Sequence, residues 1–303
     1  MNNVSIRQLR YFDALAQSLH FGRAAEQCSV SQPALSMQIQ EFEREIGAIL
    51  IERTPQGARL TPEGVEVARR VAAILADICD LADCGRHTSS ILSGRLRLGV
   101  IPTIAPYVLP KLLPGLRSKY PALDLHLRES QTRYLLNDLN AAKLDVVLLS
   151  LPLDETKIET HDLFDDEFVV ALPKKRRLPE EAVASHKIFE GERLLLLEEG
   201  HCLREQALSF CDLKQAKGLN TFETTSLSTL VQMVANGFGV TLLPRMSLET
   251  ELRHGGIRIL PFMNPKPYRK IGLAWRRSSP RKPDFLALGE GVIQAMAATG
   301  GKE

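Results

Sequence analysis

The sequence predicts an all-α domain and a long helix, followed by a larger α/β domain. Apolar residues recur at helical spacing through about the first ninety positions. From residue 95 onward, short apolar segments typical of strands alternate with segments of helical period. Between these regions, Ser89-Ser90 and Ser93-Gly94 have the composition of a hinge. We therefore expect a domain over 1–61, a linker over 62–94 and a domain over 95–303.

Composition indicates a folded protein of the cytoplasm. The chain has 303 residues, 44% hydrophobic and 24% charged, which is enough to build hydrophobic cores. Its N-terminus lacks the plan of a signal peptide, and its longest apolar runs are too short to span a bilayer. The five cysteines do not form a secreted disulfide framework. We expect no membrane partner, and thiols that start reduced.

The first domain has the pattern of a helix-turn-helix. Ser5 is a suitable cap for a first helix, and a second short helix is expected from about Gly22 to Cys28. A third helix is expected to begin after Ser31, with Pro33 in its first turn. Two helices joined by a short turn describe this motif. The expected buried stripe of the third helix is Leu35, Ile39, Phe42 and Ile46.

The exposed side of the third helix has the polar groups that DNA contacts require. Short polar side chains near a helix N-terminus bind phosphates, and glutamine reads adenine edges. A hairpin over 50–61 is expected to form a wing carrying Arg53 and Arg59. Net charge gives no support to DNA binding, because the first 94 residues contain nine arginines, no lysine and eleven acidic residues. A helical bundle with a solvated polar face fits the same pattern.

A resemblance decides between these interpretations. Residues 6–64 resemble the winged helix-turn-helix of LysR-type transcriptional regulators, with Phe42 and Ile51 as mild departures. The residues that carry the resemblance are Leu9, Phe12, Phe21, Ala24-Ala25, Ser31-Gln32-Pro33-Ala34-Leu35-Ser36, Gln38-Ile39, Leu50, Glu52-Arg53 and Leu60-Thr61-Pro62-Glu63-Gly64. The resemblance implies double-stranded DNA as a partner. The implied DNA contacts are Arg23, Ser31, Gln32, Pro33, Ser36, Gln38 and Arg53.

One long helix is expected from Pro62 to about Ser89, capped by Thr61. An apolar stripe along such a helix needs a partner, and the resembled family uses this helix to dimerise. Cys79 and Cys84 lie five positions apart, so they do not share a helix face, and we expect both to be spectator thiols.

The last two hundred residues predict a mostly parallel sheet, because strands alternate with helices. This region resembles the effector domain of the same family, which has two Rossmann-like lobes around a cleft and is similar to periplasmic binding proteins. Ligands in such folds lie at the carboxyl ends of strands. Thr103 and Thr132 follow the first two expected strands and are placed accordingly. The basic run over 174–177 is expected to be a solvated loop.

Cys202 and Cys211 have a spacing that suits a conformational switch. On one continuous helix their Cα atoms would lie roughly 13 Å apart, whereas a disulfide requires about 5.5 Å. Closing the bond would therefore refold the segment between them. Cys202 follows a glycine turn at an expected helix start, which favours the thiolate. A thiolate attacks peroxide to give a sulfenic acid, which a second thiol converts to a disulfide.

Other interpretations of these cysteines stay open on spacing alone. Two packed core cysteines would fit, and metal binding by His201, Cys202 and Cys211 would need further ligands. No Gly-rich phosphate loop, Ser-His-Asp arrangement or paired-carboxylate motif stands out. We therefore expect no metal, no cofactor and no enzymatic activity. A thiol peroxidase and a regulator that senses a small organic anion are the alternatives.

Over nearly its full length the chain resembles the hydrogen-peroxide-sensing members of the LysR family. The residues that carry this are Ile101-Pro102-Thr103, Gln131-Thr132, Glu199-Gly200-His201-Cys202-Leu203-Arg204, Gln206-Ala207, Phe210-Cys211, Thr225-Ser226-Leu227, Thr229-Leu230 and Arg269. The resemblance implies that Cys202 is peroxidatic and Cys211 resolving. It implies that Thr103, Thr132 and His201 line the peroxide pocket and that Arg269 holds the thiolate charge. Implied partners are hydrogen peroxide, DNA, a dimer of dimers, RNA polymerase and a cellular thiol reductant.

Overall fold

The structure is a computed structural model that describes residues 3–55, 57–84, 90–176, 179, 182–184, 186–189, 192–210 and 222–298. The chain divides into two compact units, one of residues 1–88 with 140–143 and one of residues 89–139 with 144–303. The finer limits expected at residues 61 and 94 stay predictions. Within the described ranges, no helix is both long enough and apolar enough to cross a membrane. Cys211 lies outside the described residues.

The first unit has the expected order of helices and hairpin. Its elements are α1 (Ile6–Ser18), α2 (Phe21–Gln27), α3 (Gln32–Ile46), β1 (Ile51–Thr54), β2 (Gly57–Leu60) and α4 (Pro62–Cys84). The Ser5 hydroxyl accepts the Gln8 amide, and the Gln8 side chain accepts the Ser5 amide, so α1 begins with a capping box. Ser31 caps α3 by a single hydrogen bond, in which its hydroxyl accepts the Ala34 amide.

The core of the first unit is built on the predicted stripe of α3, with one correction. Leu35, Ile39 and Phe42 are buried, and the Phe42 ring lies 5.2 Å from that of Phe12. Ile46 was expected in this stripe but is 38% exposed. It is the last residue of α3, and the left-handed Gly47 turns the chain away immediately after it, so no neighbouring element covers it.

The α4 helix begins as predicted and presents apolar side chains to solvent. The Thr61 hydroxyl accepts the Gly64 amide at 2.9 Å, which confirms the expected cap. Val65, Ile74 and Leu81 are exposed along the helix. The expected continuation over 85–89, and the side chain of Cys84, lie outside the described residues.

The second unit contains most of the strands. Its elements are β3 (Gly94–Val100), α5 (Ala105–Lys119), β4 (Leu123–Glu129), α6 (Thr132–Asn140), β5 (Val146–Leu151), β6 (Ile158–Pro173), β7 (Leu195–Leu197), α7 (Cys202–Phe210), β8 (Phe222–Thr224), α8 (Leu227–Ala235), β9 (Thr241–Pro244), α9 (Leu248–Glu251), β10 (Ile257–Pro261), β11 (Tyr268–Arg276) and α10 (Lys282–Ala297).

The main sheet is mixed, so the expectation of a mostly parallel sheet was wrong. Within the described residues its strand order is β10-β6-β11-β5-β3-β4, and β9 also pairs with β6. β3 runs parallel to β4 and β5, whereas β11 is antiparallel to both β5 and β6. The reason is that β11 lies between β5 and β6 and runs opposite to both, instead of following a crossover helix as a parallel strand would. A small parallel pair, β7 with β8, lies apart from this sheet.

The long strand β6 joins two lobes. Residues 158–167 pair with β11, whereas residues 168–173 pair with β9 and β10. We call β3–β5 with α5, α6 and α10 lobe one, and β7–β10 with α7–α9 lobe two. One continuous strand therefore serves both lobes and fixes their separation.

A buried carboxylate also connects the lobes. The Tyr107 hydroxyl on α5 donates to Glu251 Oε1 at 2.8 Å, and the Ser228 hydroxyl on α8 donates to the same atom at 2.9 Å. Tyr107 and Glu251 are both buried. Burial and the neighbouring Glu251 carboxylate raise the pKa of Tyr107 well above its usual range, so its hydroxyl stays a donor. Lys111 and Glu249 form a further ion pair between the lobes at 2.7 Å.

A buried ionic cluster fixes the start of the second unit to its last helix. Asp284 Oδ1 accepts the Leu92 amide at 2.9 Å, and Asp284 Oδ2 accepts from Arg281 Nε at 2.9 Å. Arg281 also donates to the Arg95 carbonyl at 2.6 Å. The Asp284 and Arg281 side chains are almost fully buried. Arg281 also lies 3.7 Å from the buried Asp145 carboxylate, so two carboxylates compensate its charge and Asp284 is the nearer one.

We expect Asp284→Ala to destabilise the second unit strongly, because the buried Arg281 charge would lose the nearer of its two carboxylates and keep only Asp145, at 3.7 Å. Removing one partner of a buried pair costs about 3–5 kcal/mol. Urea denaturation measures the change. The matched control is Glu159→Ala. Glu159 on β6 pairs with the exposed Lys282, which lies on the same helix as Asp284, so this variant should leave the midpoint unchanged. Equal midpoints for the two variants would contradict this role of Asp284.

Candidate functional site

The chain before Cys202 is shaped to place this thiol at a helix start. β7 ends at Leu197, and Gly200 has φ of +93°, a conformation that favours glycine. A Cβ at Gly200 would also lie 2.6 Å from Gln131 Oε1, so the Gln131 side chain would have to move to admit it. Cys202 is the first residue of α7, which confirms the predicted helix start. Its thiol is free and half-buried.

Two helix N-termini meet at this thiol. The Thr132 Oγ1 and Cys202 Sγ atoms are 2.8 Å apart, and either atom can be the donor. Thr132 is the first residue of α6 in lobe one, and Cys202 is the first residue of α7 in lobe two. The first turn of a helix presents unpaired amide groups and the positive end of its dipole. The sulfur therefore lies at the first turn of two helices.

Gln131 and His201 precede Thr132 and Cys202 in the sequence, and each therefore lies next to one of the two contacting residues. Gln131 Nε2 donates to the Glu199 carbonyl at 3.3 Å, while its Oε1 is buried without a hydrogen-bond partner among the described residues. His201 is buried, with Nε2 4.0 Å from Glu198 Oε1. Burial lowers the pKa of His201 and Glu198 opposes the shift, so the imidazole is neutral at pH 7. A neutral imidazole has one donor and one acceptor nitrogen.

Arg269 is part of a separate buried group. Its Nε donates to Asp166 Oδ2 at 3.0 Å, and its two terminal nitrogens donate to the hydroxyl and carbonyl of Thr103 at 2.8 and 3.0 Å. Asp166 also accepts the Met246 amide at 3.0 Å. Burial raises the pKa of Asp166, and the Arg269 guanidinium acts in the opposite direction.

The structure thus groups the predicted pocket residues in two sets. The Thr132 hydroxyl contacts the Cys202 sulfur, and the Thr103 hydroxyl accepts a hydrogen bond from Arg269. Among the described residues, no hydrogen bond or ion pair joins Arg269 to Cys202. The expectation that Arg269 holds the thiolate charge stays a prediction, as do the roles of Thr103 and His201.

Sequence reasoning missed Asp166 as the partner of Arg269. The two residues face each other in the antiparallel register of β6 and β11. The available signal was a buried arginine, which requires a carboxylate, but three consecutive acids at 165–167 gave no way to choose one. Gln131 was recognised only as part of a motif, and its contact with Gly200 depends on two distant segments.

The predicted DNA contacts lie together on the first unit. Arg53 of the wing donates to the Ser36 hydroxyl of α3, and its guanidinium stacks over the Phe21 ring at 4.6 Å. These contacts fix the wing cation beside the helix that reads DNA in such motifs. Gln38 donates to Glu41 Oε2 at 2.9 Å. Arg23, Ser31, Gln32, Pro33 and Arg53 are exposed, and Ser36 and Gln38 are half-buried.

The chain is similar to known regulators over nearly all of its length. Residues 6–65 match the family described as bacterial regulatory helix-turn-helix protein, lysR family. Residues 90–297 match the LysR substrate binding domain. The DNA-binding transcriptional dual regulator OxyR of Escherichia coli K12 is 38% identical over 293 residues, which cover 97% of this chain and 96% of that protein.

Two solved structures extend the comparison to the fold. Full-length OxyR of Pseudomonas aeruginosa, in a cysteine-to-aspartate variant, has a TM-score of 0.79 and 34% identity, covering 96% of this chain and 95% of that one. A cysteine-to-serine variant of Corynebacterium glutamicum OxyR, bound to H₂O₂, has a TM-score of 0.65 and 30% identity, covering 98% and 97%. The predicted fold class is confirmed, and the chain belongs to the LysR family of bacterial helix-turn-helix regulators.

Proposed function

We propose that this protein is a DNA-binding transcriptional regulator that senses hydrogen peroxide through Cys202 and controls oxidative-stress genes. The observation that carries the proposal is the 2.8 Å contact between Thr132 and the free Cys202 thiol, made where two helices begin. The relatives support it, because the Escherichia coli protein is a DNA-binding transcriptional regulator and the Corynebacterium structure holds H₂O₂.

The chemistry is a two-electron oxidation of two thiols. The Cys202 thiolate attacks one peroxide oxygen, the O–O bond breaks, and the departing hydroxide takes a proton to become water. Cys202 is then a sulfenic acid. The Cys211 thiolate attacks the Cys202 sulfur, the S–O bond breaks, and a second water leaves as the disulfide forms. One peroxide is reduced to two waters, and a cellular thiol reductant later restores both thiols.

The side chains around Cys202 have distinct tasks in this reaction. The Thr132 hydroxyl donates to the thiolate and holds the sulfur in place. The neutral His201 offers a nitrogen that can accept or donate a proton. Thr103, oriented by Arg269, provides a further hydroxyl for the peroxide oxygens. Arg269, whose charge Asp166 compensates, acts by holding the Thr103 hydroxyl in place.

The disulfide acts as a switch because α7 and the bond exclude each other. An intact helix from Cys202 to Phe210 separates the Cα atoms of its two end residues by roughly 12 Å, whereas a disulfide requires Cα atoms about 5.5 Å apart. Unwinding it exposes Leu203 and Ala207, at a cost of a few kcal/mol. Closing a ten-residue ring constrains the unfolded ensemble by roughly 2.7 kcal/mol in the chain-entropy model. Terms of similar size allow a reversible switch.

The output of the switch is the spacing of DNA-binding domains in a homotetramer, a dimer of dimers. The exposed Ile74 and Leu81 lie seven positions apart, and therefore on one face of α4, which supports dimerisation through this helix. Refolding of α7 would alter contacts between effector domains, and half-site spacing depends on that geometry. RNA polymerase is the further partner that activation in the cytoplasm requires.

A regulator that senses an organic anion through Arg269 is disfavoured. The Arg269 guanidinium is buried and already paired with Asp166 at 3.0 Å, so it offers no uncompensated charge to a carboxylate ligand.

The direct test is mass spectrometry of thiol state after one equivalent of hydrogen peroxide. In the wild type we expect a Cys202–Cys211 disulfide within seconds. In Cys211→Ser we expect oxidised Cys202 without that disulfide. If Cys202 reacts no faster than Cys79, which is exposed on α4, the sensor proposal fails.

Thr132→Val should slow oxidation of Cys202 by hydrogen peroxide. A hydrogen bond to a charged group is worth about 1.5–3 kcal/mol, and about 1.4 kcal/mol corresponds to a tenfold change in rate. We therefore expect at least a roughly tenfold lower second-order rate constant in stopped-flow experiments. Thr229→Val, on the exposed face of α8, is the matched control and should react as the wild type does. Equal rates for both variants would remove Thr132 from the mechanism.

Arg53→Ala should weaken DNA binding without changing which sequence is preferred. Loss of one phosphate contact lowers the slope of log affinity against log salt by about 1. Anisotropy titrations at several salt concentrations measure this slope. The control is Arg69→Ala, because Arg69 pairs with Glu66 on α4 and should leave the slope unchanged. An unaltered slope in Arg53→Ala would exclude a phosphate contact.

His201 should make stability depend on pH in mild acid. Its pKa is lowered in the folded state, so the unfolded chain binds more protons once the pH falls below about 6.5. The stability is therefore fully present above this pH, and it is lost as the pH falls towards the folded pKa. We expect urea midpoints of the wild type to fall from pH 7.5 to 5.5 more than those of His201→Asn. Parallel pH profiles would show that His201 does not titrate differently on folding.

A further inference from the structure

We propose that a hydrogen bond between Gln206 and Ser150 fixes α7 to lobe one in the reduced protein and sets the rate at which the disulfide closes. Gln206 Nε2 donates to Ser150 Oγ at 2.7 Å, and we call this bond the α7 tether. Gln206 lies in the middle of α7, and Ser150 lies near the end of β5. Both are positioning residues, because they act through the conformation of α7. The effect of the tether on closure rests on the proposed function.

The helical spacing of α7 places Gln206 on the same side as the reactive thiol. Cys202 and Gln206 are four positions apart, so their side chains lie one above the other on the helix. The Cys202 sulfur contacts Thr132 of lobe one at 2.8 Å, and Gln206 bonds to Ser150 of the same lobe. One side of α7 is therefore fixed to lobe one at two successive turns, first at the thiol and then at the tether.

The acceptor of the tether is held in the main sheet. Ser150 is buried on β5, which pairs with β3 on one side and with β11 on the other. Its hydroxyl donates to the Lys270 carbonyl at 3.4 Å, which leaves the lone pairs of the oxygen available to Gln206. Unwinding of α7 carries Gln206 away from this fixed acceptor. The tether must therefore break before the disulfide ring can close.

The same side chain limits the strength of the tether. Gln206 Oε1 is buried and has no hydrogen-bond partner among the described residues. A buried, unpaired carbonyl oxygen raises the free energy of the folded state, and unwinding of α7 returns it to water. The amide of Gln206 therefore stabilises intact α7 through its nitrogen and opposes it through its oxygen. The net hold is weak, as a reversible switch requires.

The test follows disulfide formation in the full-length protein at increasing hydrogen peroxide concentrations, by acid quenching and mass spectrometry. At low peroxide the rate is proportional to the peroxide concentration and measures attack by Cys202. At high peroxide the rate reaches a plateau, which measures closure of the ring. We expect Ser150→Ala to raise the plateau by roughly threefold to tenfold, because the tether is lost. The slope at low peroxide should stay within about twofold of the wild type, because the contact of Thr132 with Cys202 remains.

A double-mutant cycle shows whether the effect belongs to this hydrogen bond. In a Gln206→Met background, whose side chain has similar length but no amide, Ser150→Ala should change the plateau by less than about twofold. Ser247→Ala is the matched control. Its buried hydroxyl donates to the Pro244 carbonyl at 2.7 Å and not to α7, so its loss should leave the plateau unchanged. An unchanged plateau in Ser150→Ala, or equal increases in both backgrounds, would overturn the proposal.

A second measurement tests the tether without peroxide. Amide hydrogen exchange of residues 206–210 in the reduced protein should be roughly threefold to tenfold faster in Ser150→Ala than in the wild type. The same substitution should have no such effect in the Gln206→Met background. Unchanged exchange would overturn the tether, and faster exchange with an unchanged plateau would overturn its role in closure. If the wild type forms no disulfide, the proposed function fails, and the exchange result still decides whether the tether exists.

Discussion

The contact between Thr132 Oγ1 and Cys202 Sγ, at 2.8 Å, is the interaction on which the rest of the account depends. It joins the first residue of α6 in lobe one to the first residue of α7 in lobe two. The contact exists only while α7 is helical from Cys202 onward and while the lobes keep their separation. The frame that keeps this separation is β6, which pairs with β11 in its first half and with β9 and β10 in its second.

Several features without a chemical role shape the turn before Cys202 or hold the two lobes together. Gly200 allows the chain to turn after β7 where a side chain would meet Gln131. Glu251 receives hydroxyl groups from both lobes, and Asp166 holds Arg269 in the register of two antiparallel strands. A redox switch needs this combination of a firm frame and one short element that can refold. α7 has nine residues, of which Leu203 and Ala207 are buried, so unwinding it costs little.

The sequence predicted the features that depend on local pattern. The caps at Ser5, Ser31 and Thr61 and the helix start at Cys202 follow from residue type and neighbouring positions, and all are confirmed. Features that depend on distant pairing were not predictable. The mixed sheet was missed because the sequence of β11, the antiparallel strand inserted between β5 and β6, has no feature that separates it from a parallel strand. Ile46 continues the helical spacing of the buried stripe of α3, but it is exposed because it lies in the last turn of α3, beyond the part that other elements cover.

Amide hydrogen exchange of residues 202–210, read by mass spectrometry before and after oxidation, shows directly whether α7 unwinds when the disulfide forms. We expect these amides to be protected from exchange in the reduced protein and to lose this protection when hydrogen peroxide forms the Cys202–Cys211 disulfide. In Cys211→Ser the same treatment should leave them protected. Full protection of 202–210 in protein that carries the disulfide would contradict the account, because the bond would then form without refolding α7.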